Sequence, residues 1–257
     1  MNKIKSVEFE NKGLSCTVVD DIAVLKLSCN IFDHLLNIDF DTEMLAWFDL
    51  VEQSKVKGVL SISESECYGE KNYVKFLSDA SGKEINHEHP EEIKKFAKSE
   101  IRAIEINMLM NFIRKIINFN KIFVSAMQGE IVTPFFGLSL ASDFRYIDSQ
   151  TTFLLTHSKY SLHPSGGLPF FLPHYIGQTK SIEYLLRGGK ITSEEALQMN
   201  IVNAVLPVNE FYENSLNEVK NICKLNLHFV KVTKQLSYYY RKEINKYFDI
   251  ESNYLFS

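Results

Sequence analysis

The stretch that decides the fold begins KIFVSAMQGEIVTPFFGLSLASDFRYIDSQ at residues 121–150 and continues to Pro207. Ala-Met-Gln-Gly occupies 126–129, and Asp143 follows that glycine by fourteen positions. Pro-Ser-Gly-Gly comes next, at 164–167. An apolar strand, a helix start and a glycine turn follow one another here at fixed spacings. Earlier in the chain, a helical pattern at 44–53 followed by a strand pattern at 58–62 predicts a repeating β-β-α unit and a layered α/β architecture.

The composition limits the class of protein. A chain of 257 residues forms one or two domains, and 45% hydrophobic residues can fill a substantial core. The net charge of −4 gives no basic field for nucleic acid, and no apolar run approaches the ~20 residues of a membrane helix. The four cysteines show neither disulfide nor zinc spacing, which favours a soluble, cytoplasmic protein; they are Cys16, Cys29, Cys67 and Cys223.

The first hundred residues show strand and helix patterns in alternation. Apolar runs at 16–20 and 22–27, joined by Asp-Asp, predict a β-hairpin. Apolar spacing over 44–53 predicts a helix, and 58–62 predicts a short buried strand. The polar segment 64–98 predicts a surface loop followed by the charged start of a helix.

The second half of the chain predicts further helices and strands. Residues 101–116 carry an amphipathic stripe, and 122–127 reads as a strand buried on both faces. Two more helices and a last strand are predicted at 181–187, 193–199 and 202–206. The chain is then helical, which predicts a core at 1–207 and a helical region at 208–257.

These motifs, with the segment ITSEEALQMNIVNAV at 191–205, resemble the enoyl-CoA hydratase (crotonase) superfamily over residues 57–207. The resemblance implies an α/β spiral of β-β-α units whose C-terminal helices pack trimers, often doubled to hexamers. It also implies an acyl thioester substrate on CoA or on the phosphopantetheine of an acyl carrier protein. It implies no cofactor of the protein's own, and no nucleic acid or membrane partner.

In this superfamily two backbone N–H groups hold the thioester carbonyl, and such preorganised donors stabilise developing negative charge. The resemblance places the first donor at Tyr68, before Gly69, although Tyr-Gly is also an ordinary surface turn. It places the second at Pro134, which has no N–H. With Thr133 as N-cap and Pro134 at the first helical position, the nearest donors are Phe135 and Phe136.

The glutamate pair of a hydratase falls on Gly137 and His157, which argues against hydration by two carboxylates. His157 is either a lone general acid or base, or a buried side chain bonded to a backbone carbonyl. Tyr160, which follows Lys159, either donates a proton or packs. The remaining substrate-binding candidates are Gly69, Pro134, Phe136, Gly137 and Pro164. His87 and His89 lack an evident third ligand, so no metal site is predicted.

Three functions follow from these residues. The Ala-Met-Gln-Gly block and the Lys-Tyr pair at 159–160 resemble the decarboxylase-type crotonases of polyketide β-branching cassettes. The first hypothesis is therefore decarboxylation, isomerisation or double-bond migration of an acyl thioester, with His157 as proton carrier. The second is a CoA-thioester hydratase or hydrolase of general metabolism, and the third a non-catalytic scaffold. Four bulky side chains predict a pocket that is narrowed for a short or flat acyl group, or closed: Phe135, Phe136, Phe170 and Phe171.

Overall fold

A computed structural model describes residues 4–11, 13–28, 30–82, 84–85 and 100–254. Ten strands are present in this part of the chain: β1 (Phe9–Asn11), β2 (Leu14–Val19), β3 (Ile22–Leu27), β4 (Gly58–Ser63), β5 (Ile122–Met127), β6 (Glu130–Val132), β7 (Phe144–Asp148), β8 (Thr152–Leu155), β9 (Gly189–Thr192) and β10 (Ala204–Leu206).

The helices of the same residues enclose these strands. They are α1 (Ile38–Gln53), α2 (Glu70–Ser81), α3 (Glu100–Asn118), α4 (Thr133–Ser139), α5 (Thr156–Lys159), α6 (Leu168–Ile176), α7 (Gln178–Arg187), α8 (Ser193–Gln198), α9 (Phe211–Ile222), α10 (Leu227–Ser237) and α11 (Ile244–Ser252). None of these helices combines the length and the apolar character needed to cross a lipid bilayer.

The strands form a large and a small sheet. Seven strands lie in the order β1-β2-β3-β4-β5-β7-β10, and β6, β8 and β9 form the second sheet. From β3 to β10 the neighbours are parallel, so the loops that leave their carboxyl ends gather at one edge. Tyr68 lies in the turn after β4 at this edge, and Phe135 lies just after β6 of the small sheet.

The predicted hairpin is confirmed. β2 and β3 pair antiparallel with Val19 opposite Ile22. Asp20 and Asp21 both have positive φ, 49° and 63°, which is the backbone of a two-residue primed turn that matches strand twist. Aspartate tolerates this conformation better than most residues, so the Asp-Asp pair explains the turn.

The large sheet is buried on both faces. One face, with α1 and α3 over it, contributes to the main core, and the other is covered by Phe211, Leu216 and Val219 of α9. Every residue of β5 is buried, as its continuous apolar run predicts. Because α9 packs against the sheet, the start of the C-terminal helical region belongs to the same folded body. The boundary at residue 207 and the trimer stay predictions.

The prediction for 64–98 was wrong in its first half. Residues 70–81 form α2, which buries Tyr73, Phe76 and Leu77 and ends at Gly82 with φ of +71°. These three apolar positions share one helical face, but the surrounding charged residues mask the stripe in the sequence. Residues 86–99, with His87 and His89, lie outside the described residues.

The sequence also predicted the start of α1 too late, at residue 44. The helix begins at Ile38 because the side chain of Asn37 accepts the backbone N–H of Phe40 at 3.1 Å. This N-cap bond satisfies a donor that the first helical turn otherwise leaves unpaired.

Candidate functional site

The turn after β4 of the large sheet and the start of α4 after β6 of the small sheet bring Tyr68 and Phe135 together. Tyr68 lies in the turn after β4, and its carbonyl oxygen accepts the backbone N–H of Val132 at 3.2 Å. Phe135 follows three residues later, in the first turn of α4. The two rings contact each other, with their centroids 4.6 Å apart and their planes tilted by 31°. The two candidate donor residues are therefore neighbours.

The start of α4 differs from the prediction by one position. Val132, rather than Thr133, is the N-cap, and Pro134 occupies the second helical position. The first N–H groups of a helix have no carbonyl one turn earlier, so a proline here removes no helical hydrogen bond. For the same reason the Phe135 N–H has no acceptor within the helix.

Beneath Tyr68 and Phe135 lies an apolar cavity of about 90 Å³ between the sheet, α1, α3 and α4. Its walls are mostly aliphatic and aromatic: Leu14, Leu25, Leu27, Ile31, Leu35, Phe40, Met44, Phe48, Met108, Leu109, Phe112, Ile116, Phe123 and Leu138, with Ser61. A second chamber of about 60 Å³ shares several of these walls and adds Ser125, Met127 and Ser139. The described residues around both spaces include no carboxylate, imidazole, ammonium or guanidinium group.

His157 is held by hydrogen bonds at both ring nitrogens and lines neither space. It is 4% exposed, and its Nε2–H donates to the Leu185 carbonyl oxygen at 2.8 Å. Nδ1 therefore accepts from the Thr133 hydroxyl, 2.9 Å away. Burial lowers the pKa of the imidazole, so it is neutral near pH 7. This arrangement joins α4, α5 and α7, and the proton-carrier role stays a prediction.

The backbone of the turn at residues 166–168 passes close to Gly137. A side chain at this position would collide with the carbonyl oxygen of Gly166 and with the Leu168 nitrogen. The 164–167 turn, with Pro164 at its head, packs so tightly that a side chain at Gly166 would in turn strike the Pro134 carbonyl. A glutamate cannot occupy position 137 without displacing this turn.

Three of the four phenylalanines that were expected to narrow the acyl pocket do not line the cavity. Phe136 is fully buried against Phe153, with ring centroids 4.4 Å apart. Phe170 packs against Tyr240 at 6.0 Å, and Phe171 is buried elsewhere in the core. Of the four phenylalanines expected to restrict an acyl group, Phe135 alone lines the space.

A charged cluster at the start of α2 escaped the sequence reasoning. Lys159 Nζ and the Tyr160 hydroxyl lie 2.8 and 2.9 Å from Glu70 Oε1. The Glu70 N–H donates to Glu130 Oε2 at 3.2 Å, so the exposed Glu130 carboxylate interacts with the N-terminus of α2. Burial, then Glu70, raises the pKa of Tyr160 to about 12, which keeps its hydroxyl a donor. Gly69 begins this helix as its N-cap.

The family model for enoyl-CoA hydratase/isomerase matches residues 81–257, more than half of the chain. The chain belongs to the enoyl-CoA hydratase/isomerase family. It is 26% identical over 137 residues to the enoyl-CoA delta isomerase 3, peroxisomal, of Mus musculus, covering 53% of this chain and 43% of that protein. It is 31% identical over 101 residues to the carnitinyl-CoA dehydratase of Shigella flexneri, covering 39% of each. The matched part spans less than half the length of these curated relatives.

Solved structures of this family have the same fold. An enoyl-CoA hydratase from Bacillus halodurans superposes with a TM-score of 0.73 at 18% identity, covering 95% of this chain and 92% of that chain. An enoyl-CoA hydratase from Bacillus anthracis gives 0.73 at 18% identity, covering 94% and 89%. The predicted crotonase-like α/β fold is confirmed.

The prediction that the chain has no metal site stays a prediction. The described residues contain no group of three histidine, cysteine or acidic side chains arranged to hold a metal ion. The pair His87 and His89 lies outside them.

Glu70 was missed because the prediction placed a loop at α2, and no motif marks that residue.

Proposed function

We propose that the protein binds an acyl thioester carried on CoA and isomerises a double bond in its acyl group. The observation that carries this proposal is the adjacent pair Tyr68 and Phe135, which lines an apolar cavity between the large sheet and the helices that cover it. The acyl group occupies the cavity. The thioester carbonyl lies against the backbone N–H groups of these two residues.

The amide donors act on the charge that develops during the reaction. Removing a proton next to a thioester carbonyl places negative charge on its oxygen, and a donor preorganised for that charge contributes about 2.7–4 kcal/mol. Pro134 cannot supply the second donor, so Phe135 does. The apolar walls keep water away and strengthen these hydrogen bonds.

Isomerisation fits the site better than hydration. A 3-enoyl thioester gives its C2 proton to a base, its electrons shift to place the double bond between C2 and C3, and the protonated base returns the proton at C4. We propose His157 as this base, which requires its ring to leave the hydrogen bonds to Thr133 and Leu185. One proton carrier is sufficient for these steps, whereas hydration also has to position and activate a water. The collision at Gly137 leaves no room for a carboxylate there. The names of the delta isomerase relatives agree with this reaction.

A second candidate function is binding without turnover. It is favoured by one observation, the lack of an acid or base among the described walls of the cavity. A scaffold of this kind would hold an acyl-CoA or an acyl carrier protein and leave the thioester unchanged.

The experiment is a substrate panel analysed by mass spectrometry and ultraviolet absorbance. The purified protein is incubated with 3-enoyl, 2-enoyl and carboxylated acyl groups, each on CoA and on carrier protein. We expect 3-enoyl-CoA to become 2-enoyl-CoA, with no gain of water and no loss of carbon dioxide. Loss of carbon dioxide from a carrier-bound substrate would instead support the polyketide-type decarboxylase. Binding without conversion would support the scaffold, and failure to bind any thioester would contradict all three.

A further inference from the structure

The size of the cavity limits the acyl group. The two spaces of about 90 and 60 Å³ share Ser61, Tyr68, Ile116, Phe123, Phe135 and Leu138, so they adjoin along these residues, and we take them as two lobes that one acyl group occupies. Together they approach the roughly 150 Å³ of an apolar cavity that accepts a benzene-sized guest. An acyl tail of about six carbons therefore fills the space, and a long fatty chain does not.

The smaller lobe has hydroxyl groups on its walls. Ser61 of β4 and Ser125 of β5 are paired in the parallel register, so they stand side by side on one face of the sheet. Ser139 of α4 also lines this lobe. The larger lobe has only Ser61 and Tyr68 among otherwise hydrocarbon walls. One end of the chamber is therefore polar.

These hydroxyls retain hydrogen-bonding capacity. Ser125 and Ser142 share one hydrogen bond of 2.6 Å, and the Ser139 hydroxyl donates to the Phe136 carbonyl at 2.7 Å, which leaves its oxygen free to accept. Ser61 makes no side-chain hydrogen bond within the described residues. It is only half-buried although Leu60 and Ile62 beside it are buried, because its side chain faces the chamber.

A hydroxyl that faces an apolar chamber without a partner is unfavourable, and a ligand that bonds to it removes the penalty. Alanine at these positions would pack the same backbone without that cost. We propose that the acyl group has about six carbons and carries a hydroxyl substituent that accepts a hydrogen bond from the Ser61 hydroxyl and donates one to Ser139 Oγ, whereas an oxo substituent could only accept from Ser61. This inference rests on the proposed function, because it assumes that the acyl group lies in this chamber.

The test compares matched acyl-CoA ligands by calorimetry. Hexanoyl-CoA is measured beside hexanoyl-CoA thioesters with a hydroxyl or oxo group at carbon 3, 4, 5 or 6, and beside decanoyl-CoA. We expect at least one oxygenated hexanoyl-CoA to bind roughly tenfold more tightly than hexanoyl-CoA, the effect of about one neutral hydrogen bond. Decanoyl-CoA should bind more weakly than hexanoyl-CoA.

Serine variants test which hydroxyl groups cause the preference for an oxygenated acyl group. In Ser61→Ala and Ser139→Ala the preference for the oxygenated ligand should fall toward unity while hexanoyl-CoA still binds. Ser149→Ala is the matched control, since that serine is exposed and is not among the residues that line the chamber. Equal binding of all hexanoyl ligands to the unaltered protein, or a preference that survives both serine variants, would overturn the inference. If no acyl-CoA binds at all, the proposed function fails as well.

Discussion

The Nδ1 atom of His157 lies 2.9 Å from the Thr133 hydroxyl, while the Nε2 atom of the same ring lies 2.8 Å from the Leu185 carbonyl oxygen. Thr133 is the first residue of the helix that presents Phe135 to the cavity. The imidazole therefore positions the start of α4 relative to α7. His157 therefore has a structural task here, whatever its role in proton transfer.

We expect His157→Ala to lower the free energy of unfolding by about 2–3 kcal/mol, because it removes two buried hydrogen bonds and leaves a void. Urea unfolding measures this change. His228→Ala is the control, since His228 is exposed and should stay within about 0.5 kcal/mol. The proton-carrier hypothesis further predicts that folded His157→Ala has no turnover, and full turnover in that variant would remove His157 from the mechanism.

Gly137→Ala should destabilise the protein by about 1–3 kcal/mol, because the new methyl group overlaps the Gly166 carbonyl in a tightly packed turn. Thermal unfolding reports the loss. Gly69→Ala serves as the comparison for stability, since its φ is −70° and its nearest neighbour would be the Glu130 carboxylate at 3.6 Å. Equal melting temperatures for the two variants would show that the Gly137–Gly166 approach is not tight.

Pro134→Gly should strengthen the binding of a thioester enolate mimic by roughly tenfold or more, because it restores an N–H donor near the carbonyl position. A small loss of stability is expected from the freer glycine backbone. Calorimetry with the mimic measures the gain, and acetyl-CoA, which carries less charge on its carbonyl oxygen, should gain less. An unchanged affinity would mean that the Phe135 N–H already satisfies the oxyanion.

Glu251→Gln should stabilise the protein above neutral pH. Burial raises the pKa of Glu251 from 4.5 to about 7, and neither carboxyl oxygen has a hydrogen-bond partner among the described residues. Between these values the folded state binds a proton that the unfolded state has lost, so this group lowers stability as pH rises through the window. We expect a gain of about 3 kcal/mol near pH 8 and almost none near pH 4.5.

Urea unfolding across this pH range provides the measurement for Glu251, and Glu210→Gln, at an exposed position, is the matched control. A gain that is the same at every pH would show that the substitution acts through packing and not through the proton.

The sequence predicted the elements whose pattern is local. The Asp-Asp hairpin, the apolar strand at 122–127 and the stripe at 101–116 each carry their own signal within a few residues. Contacts between distant segments could not be predicted in this way. The packing of Gly137 on Gly166 and the hydrogen bond of Thr133 to His157 both depend on how separate turns meet. Thr133 looked like an N-cap because its tertiary partner is invisible in the local sequence.

The candidate site was also predicted only in part from the sequence. Tyr68 and Phe135 emerged from the resemblance and lie together in the structure, because the backbone N–H of Val132 at the end of β6 donates to the Tyr68 carbonyl after β4. The serine-lined lobe did not emerge, since Ser61, Ser125 and Ser139 are far apart in sequence and share no motif. Glu70 was missed because charged residues hid the apolar face of α2.

The central claim is that the thioester carbonyl lies between the backbone amides of Tyr68 and Phe135. A crystal structure with a non-hydrolysable acyl-CoA analogue tests it most directly. The account predicts acyl density in the apolar cavity and a carbonyl oxygen within about 2.7–3.1 Å of both amide nitrogens. An acyl group bound elsewhere, such as the surface groove beside Glu70 and Lys159, with the cavity empty, would contradict it.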